Sequence, residues 1–348
     1  MSNNSIYLGV CGFGYSGSGA VLDYLKEYSN VYVADKAELS ILYTPDGLED
    51  LKAAISTNPS RYWSSDSAIR RFLQFVKRKR RGFNHLTNNQ FDIIIAQYLE
   101  KLIQIEWKGH TGVHIYQDDF LNYLFKQQLA RRIREWFEKS LFPLKTPFWP
   151  QKKMFYSYYS EDEFINITKS FVKQLVSSMI GNVSADIIAI DQLFSANNPI
   201  KSFVYVDNPC AIVVQRDPRD VYLLAKNAIG MYASFIPTDN VNKFICYYKG
   251  LMQSSNLKDD RILNIRFEDL VYNYEQTTKQ INVFLNLDDS KRSKQRCFLP
   301  DVSINNTQLW LKYPNYSNDI ALIEEHLKEY LYDFDIQSKK PEFKIATF

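Results

Sequence analysis

The stretch CGFGYSGSGAVLDYL, Cys11–Leu25, carries glycine at 12, 14, 17 and 19 beside two serines, and it contains no lysine or arginine. An apolar run, IYLGVCGF, leads into it. Val21, Leu22 and Leu25 then recur at helical spacing, so the stretch reads as strand, glycine turn and helix. At such a junction the first backbone N–H groups of the helix lack internal partners and the helix dipole favours negative charge, which makes a phosphate or sulfate a natural guest.

Spacing alone leaves several readings open. Gly12 and Gly17 fit the nucleotide-triphosphate loop G-x-x-x-x-G-K-[ST], but Ser18 replaces its lysine and Gly19 its magnesium-binding hydroxyl. Gly12, Gly14 and Gly17 also fit the dinucleotide fingerprint G-x-G-x-x-G, with Asp35 closing the next apolar run, VYVA, about where a ribose-binding acid belongs. A tight turn whose glycines serve close packing alone is a further alternative.

Composition narrows the class. A chain of 348 residues, 45% hydrophobic and 23% charged, buries a sizeable core and reads as one α/β domain over 1–348 with an insertion at 60–180. The formal charge of +3 is mild, so bulk electrostatics implies no nucleic-acid partner. Cysteines at 11, 210, 246 and 297 form no C-x-x-C pair, and the four histidines fall in no metal-ligand spacing. Buried free thiols and no metal are therefore expected. Without a basic leader or an apolar run of 18 residues, a soluble cytoplasmic protein is expected, with peripheral membrane contact left open.

Along the chain, IYLGVCGF and VYVA read as the first two parallel strands, joined by a helix from about Gly19 to Tyr28. Residues 60–180 turn to aromatic-rich helical patterns such as FDIIIAQYLEKLIQIEW and FLNYLFKQQLARRIREWFEKSLF. Short β-branched runs follow: ADIIAID, AIVVQ and RILNIRF. Strands alternating with helices predict a doubly wound parallel sheet, whose ligands sit beyond the carboxyl ends of its strands.

Two of those strand ends carry motifs. CAIVVQRDPRDVYLLAKN puts Arg216 directly after a strand and Pro218 at a helix start, and RILNIRFEDL ends its own strand in RFEDL. Together with Ser16, Gly17 and Ser18 in the first loop, these resemble the sulfotransferases that use 3′-phosphoadenosine 5′-phosphosulfate, in which an Arg-Asp-Pro-Arg-Asp-Val and an Arg-Phe-Glu-Asp-Leu motif occur in this order. Trp310 and Lys312, ahead of an amphipathic C-terminal segment, add a weaker match displaced by one residue. The resemblance covers roughly residues 5–55 and 185–332. It implies a P-loop NTPase-like α/β fold with a helical insertion on the acceptor side, and sulfuryl transfer to a carbohydrate or glycan precursor without a metal. With no anchor expected, the resemblance is to bacterial cytoplasmic members.

The resemblance also implies roles. Gly14, Tyr15, Ser16, Gly17, Ser18 and Gly19 would hold the 5′-phosphosulfate, and Arg216 the 3′-phosphate. A serine expected eight residues after Arg216 is Leu224 here, leaving Lys226 or Asn227 as substitutes, with Lys312 as a screening charge. Tyr15 stands where the family has a cation. Lys36, after the second strand, is the expected replacement, on the premise that the second strand lies beside the first. Glu38 is the expected base, with Asp35 its rival; both also suit a helix cap. His110 and His114 are alternative bases, read equally as ordinary loop residues. Lys77–Arg81 is the one dense basic cluster, suited to an acidic glycan, a membrane surface or a solvated helix end. Two other classes remain: a dehydrogenase using Gly12–Gly17 with NAD, and a nucleotide-binding protein without activity.

Overall fold

IYLGVCG forms strand β1 (Ile6–Gly12), and five of its seven residues are buried in a computed structural model that describes residues 5–57, 59, 61–109, 128–138, 152–228, 235–334 and 340–342. Helix α1 (Gly19–Leu25) follows, then β2 (Val31–Ala34), α2 (Leu48–Lys52), α3 (Arg61–Leu86) and α4 (Phe91–Leu102). Next come β3 (Ile105–Gly109), α5 (Ala130–Glu138), β4 (Lys152–Tyr156), α6 (Glu161–Ile180) and β5 (Ile187–Asp191). The chain continues through β6 (Pro209–Gln215), α7 (Pro218–Asn227), α8 (Val241–Gln253) and β7 (Ile262–Arg266). It ends with α9 (Phe267–Tyr272), α10 (Tyr274–Leu285), α11 (Pro300–Ser303) and α12 (Ser317–His326).

Five strands make a parallel sheet in the order β2-β5-β1-β6-β7, compatible with a doubly wound α/β fold. Leu8, Val10, Ile187, Ala189, Ile212 and Val214 face the apolar sides of α1, α9 and α10. The alternate residues Tyr7, Cys11, Ile188, Ile190, Ala211 and Val213 are buried as well, as a parallel sheet covered on both faces requires.

The expectation that the second strand adjoins the first is overturned. β5 pairs with β1 from Ile187 to Asp191 and with β2 from Ile187 to Ile190, so it stands between them. Dinucleotide folds order their strands 3-2-1-4-5-6, with the acid-bearing second strand beside the first. Asp35 is one strand too far away for that role.

The chain divides into two compact units, Met1–Leu42 with His85–Asn88 and Val176–Phe348, and Tyr43–Asn84 with Asn89–Leu175. In the second, Phe72, Phe83, Phe91 and Tyr98 are fully enclosed, and Tyr98 stacks on Phe171 at 4.3 Å between ring centroids. This unit is not wholly helical. Ile105–Trp107, expected to extend a helix, instead pair in β3 with Met154–Tyr156 of β4. The β-branched Ile105 and aromatic Trp107 suit a pleated surface, and α4 stops at Leu102. Its Asp66, fully buried, accepts hydrogen bonds from the Phe155 N–H and Arg70 Nε, fixing β4 against α3.

In the first unit α1 ends at Leu25, three residues before the expected Tyr28, and single turns carry the chain on to β2. The four cysteines are free, but only Cys11 is buried; Cys246 and Cys297 are exposed, contrary to expectation, because neither lies in the sheet. No described helix is long and apolar enough to cross a membrane.

Glu27, just after α1, is fully buried and collects four donors: the N–H groups of Cys297 and Phe298, and Nε and Nη2 of Arg292. It ties the N-terminal βαβ unit to the segment before α11. Glu27→Ala strands the buried Phe298 N–H, the part-buried Cys297 N–H and a guanidinium, so urea unfolding is expected to show a loss of about 3 kcal/mol; a loss below about 0.5 kcal/mol would mean that water replaces the carboxylate.

Candidate functional site

The loop between β1 and α1 is held open by two left-handed residues, Tyr15 at φ 62° and Gly17 at φ 82°. Glycine is needed at 17 twice over, since a Cβ there would also lie 2.6 Å from the Phe267 ring. A Cβ at Gly12 would meet Ser16 Oγ at 2.1 Å, so the loop folds directly over the strand end.

Two polar groups in this loop have unusual surroundings. Ser16 is 2% exposed and its Oγ has no hydrogen-bond partner among the described residues. The N–H groups of Gly17, Ser18 and Gly19 likewise make no hydrogen bond among the described residues. Successive unused N–H groups around a left-handed residue form an anion-binding concavity. Gln192 braces the arrangement: its Oε1 accepts from the Gly12 N–H at 3.2 Å, and its Nε2 donates to Ser18 Oγ at 3.3 Å.

Arg216 lies beneath the loop, 3% exposed. Its Nη1 donates to the Tyr15 carbonyl at 2.9 Å, its Nη2 donates to the Asn306 carbonyl, and its guanidinium sits 4.7 Å over the Phe267 ring. Burial lowers its pKa, opposed by the charges of Asp220, Glu268 and Asp217. Only Nε lacks a partner. Ser16 and Arg216 both line a void of about 10 Å³ with Phe13, Tyr247 and Tyr248, room for a single water.

The rest of the Arg-Asp-Pro-Arg-Asp motif is structural as the chain stands. Asp217 caps α7 by accepting from the Arg219 N–H, and it also takes the Arg219 fork at 2.9 and 2.7 Å. Arg219 stacks over Trp310 at 3.9 Å. Asp220 lies in the first turn of α7, where an acid suits the helix dipole. It also accepts from the N–H groups of Gln308 and Leu309, at 3.0 and 2.8 Å, and so pins the C-terminal segment. Glu268 of the second motif accepts from the Asp217 N–H at 2.8 Å and joins the two strand ends.

Other expected site residues are dispersed. Lys226 donates to the Thr238 carbonyl at 2.6 Å and lies 5.5 Å from the Tyr222 ring. Asn227 turns back on the Leu223 carbonyl, and Leu224 packs half-buried in the cluster of α7, α8 and α12. Lys312 is exposed, with Nζ 5.5 Å from the Tyr313 ring. Tyr15 stacks on Phe235 at 5.3 Å. Lys36 and Glu38 are exposed beyond β2, and Asp35 pairs with Lys26 at 2.5 Å. The cations of Lys77–Arg81 are all exposed on α3, where Arg80 is held by both oxygens of Asp92. His110 and His114 lie outside the described residues.

Sequence reading passed over Asp191, the last residue of ADIIAID. It ends β5 in register with Val10 of β1, and burial, followed by the charges of Glu38 and Asp35, pushes its carboxyl up to about 7. An acid closing a buried strand was the available signal.

No family model matches the chain, and no curated protein matches it. The site therefore rests on its own geometry.

Gly17→Ala is expected to cost at least about 2 kcal/mol in unfolding free energy, from a left-handed alanine and the Phe267 contact. Gly19→Ala, with nothing within 4 Å of its Cβ, should be neutral or add up to about 1 kcal/mol. Equal effects at both positions would remove the geometric argument for the loop.

Proposed function

We propose that this protein transfers a sulfuryl group from 3′-phosphoadenosine 5′-phosphosulfate to a hydroxyl of a carbohydrate or glycan precursor, on a P-loop NTPase-like sulfotransferase fold. The observation that carries the reading is Ser16: a buried hydroxyl without a partner beside three unused N–H groups, at the carboxyl end of the central strand. Native structures rarely leave a buried polar side-chain atom unpaired, and one left so at a site is poised for a ligand. The order of the two strand-end motifs supports the donor assignment.

In this reading the N–H groups of Gly17, Ser18 and Gly19 and the hydroxyl of Ser16 hold the 5′-phosphosulfate. Sulfuryl transfer, like phosphoryl transfer, depends chiefly on positioning and on stabilising charge at the leaving phosphate. Arg216 braces the loop through the Tyr15 carbonyl. For it to grip a 3′-phosphate with its Nη fork, it must release the carbonyls of Tyr15 or Asn306. Lys36, expected to replace the loop's missing cation, stands beyond β2 with β5 between it and the loop, so its premise falls with the strand order.

Calorimetric titration with 3′-phosphoadenosine 5′-phosphate and, separately, NAD tests the cofactor, and turnover of sulfur-labelled donor tests the reaction. Binding of NAD alone would replace this reading with the dehydrogenase; donor binding without transfer across a broad acceptor panel would leave a nucleotide-binding protein. Ser16→Ala is expected to weaken the adenosine ligand by about 0.5–1.5 kcal/mol while leaving thermal stability unchanged or slightly higher, because the hydroxyl it removes is unsatisfied in the free protein. A loss of stability instead would assign Ser16 to the fold.

A further inference from the structure

We propose that Asp191, not Glu38, is the base that takes the acceptor's proton, because its carboxylate stands at the carboxyl end of β5, between the phosphate loop and the end of β2. The assignment rests on the sulfuryl-transfer reading above. Three observations of place support it.

Asp191 pairs in register with Val10, two residues before the end of β1, and its neighbour Gln192 is hydrogen-bonded both to Gly12 at that strand end and to Ser18 of the loop. Parallel neighbours lie about 4.8 Å apart, so this residue stands one strand spacing from β1, the strand that leads into the donor loop, whereas Asp35 and Glu38 follow β2, two spacings from β1. Asp191 continues the face of Ile187 and Ala189, on which α1 packs. Its carboxylate accepts no hydrogen bond among the described residues, while Asp35 is already paired with Lys26. Glu38 belongs to a segment fixed by the Leu39 N–H, which donates to the Asp191 carbonyl at 3.0 Å, and its charge acts on Asp191.

The groups acting on the Asp191 carboxyl are Glu38 and Asp35 from beyond β2, with Lys26 of the α1 end reaching Asp35; the nearby thiol of Cys11, on the other face of β1, is itself pushed up to about 12 and is neutral. Burial and the two like charges bring the Asp191 carboxyl up to about 7, the range in which a base is half available at neutral pH and strong enough to accept a proton. In the step itself, the Asp191 carboxylate takes the hydroxyl proton as the acceptor oxygen bonds to sulfur. The bond from sulfur to the bridging oxygen breaks, and its electron pair leaves on the 5′-phosphate of 3′-phosphoadenosine 5′-phosphate.

Transfer of the labelled sulfuryl group to water serves as the readout, because it needs no identified acceptor. In the unmodified protein the rate should rise through about pH 7 to a plateau, since protonated Asp191 is inactive. Asp191→Asn should lower the plateau by about 10²- to 10⁴-fold and remove the rise, with binding of 3′-phosphoadenosine 5′-phosphate intact. Asp191→Glu should recover part of the rate together with a pH-dependent limb. Glu38→Gln, which removes a like charge, should shift the limb to lower pH and keep the plateau. Carboxyl-carbon NMR of aspartate-labelled protein should show one signal titrating near 7 that disappears in Asp191→Asn. Unmodified protein that binds the nucleotide and turns over, with Asp191→Asn equally active, overturns the base assignment alone, as does loss of activity in Glu38→Gln only. Failure of the unmodified protein to bind the nucleotide, or to turn over donor at all, overturns the sulfuryl-transfer reading and the assignment with it.

Discussion

Arg216, Arg219 and Arg266 meet Asp217, Asp220 and Glu268 at the carboxyl ends of β6 and β7, and this balanced set of charges is the constraint on which the first unit depends. Asp217, Asp220 and Glu268 are fully buried, and Arg216 and Arg219 nearly so. Charges taken out of water are tolerable only when each finds a counter-charge and its remaining donors and acceptors are used. The surrounding chain meets most of that demand; among the described residues Nε of Arg216, Nε of Arg266 and Oε2 of Glu268 make no hydrogen bond, and burial raises the pKa of the Asp220 and Glu268 carboxyls. Asp217 and Asp220 take backbone N–H groups at Tyr332, Gln308 and Leu309, while Arg216 and Arg266 donate to carbonyls at Tyr15, Asn306 and Tyr330. The C-terminal segment thereby becomes part of the sheet's upper rim, although it contributes no strand.

Much of the first unit was legible because it is written locally. Strand runs of β-branched residues, proline at the start of α7 and the glycines around 12–19 each act within a few residues of their own position. The placement of β5 between β1 and β2 was not legible, since strand order is decided by packing between segments more than a hundred residues apart. The same gap hid Asp191: its residue type was visible at the end of an apolar run, but the burial that raises its pKa, and the two carboxylates beyond β2 that add to it, come from packing between distant segments. In the second unit, IEW reads as a continuation of the helical pattern before it, and only pairing with KKMFY turns it into a strand.

Arg216 shows a different limit of sequence reading. A motif gives the residue type and its offset from a strand, both of which hold here. It does not say whether the guanidinium points at a ligand or at the backbone that would hold the ligand. In the folded chain both Nη atoms serve the loop and the C-terminal segment, so the motif acts on the candidate site by shaping it.

Gln192 has a consequence for how this family of shapes can change over generations. Its single amide is read at both ends, oxygen by the Gly12 N–H and nitrogen by the Ser18 hydroxyl, and its backbone is left-handed at φ 52°. Leucine or a one-residue insertion would lose at least one of those readings. Long stretches of helix surface are free to drift, yet this residue acts as a gauge block between two strands: the loop can be rewritten only by changes that keep its length and its two chemical ends.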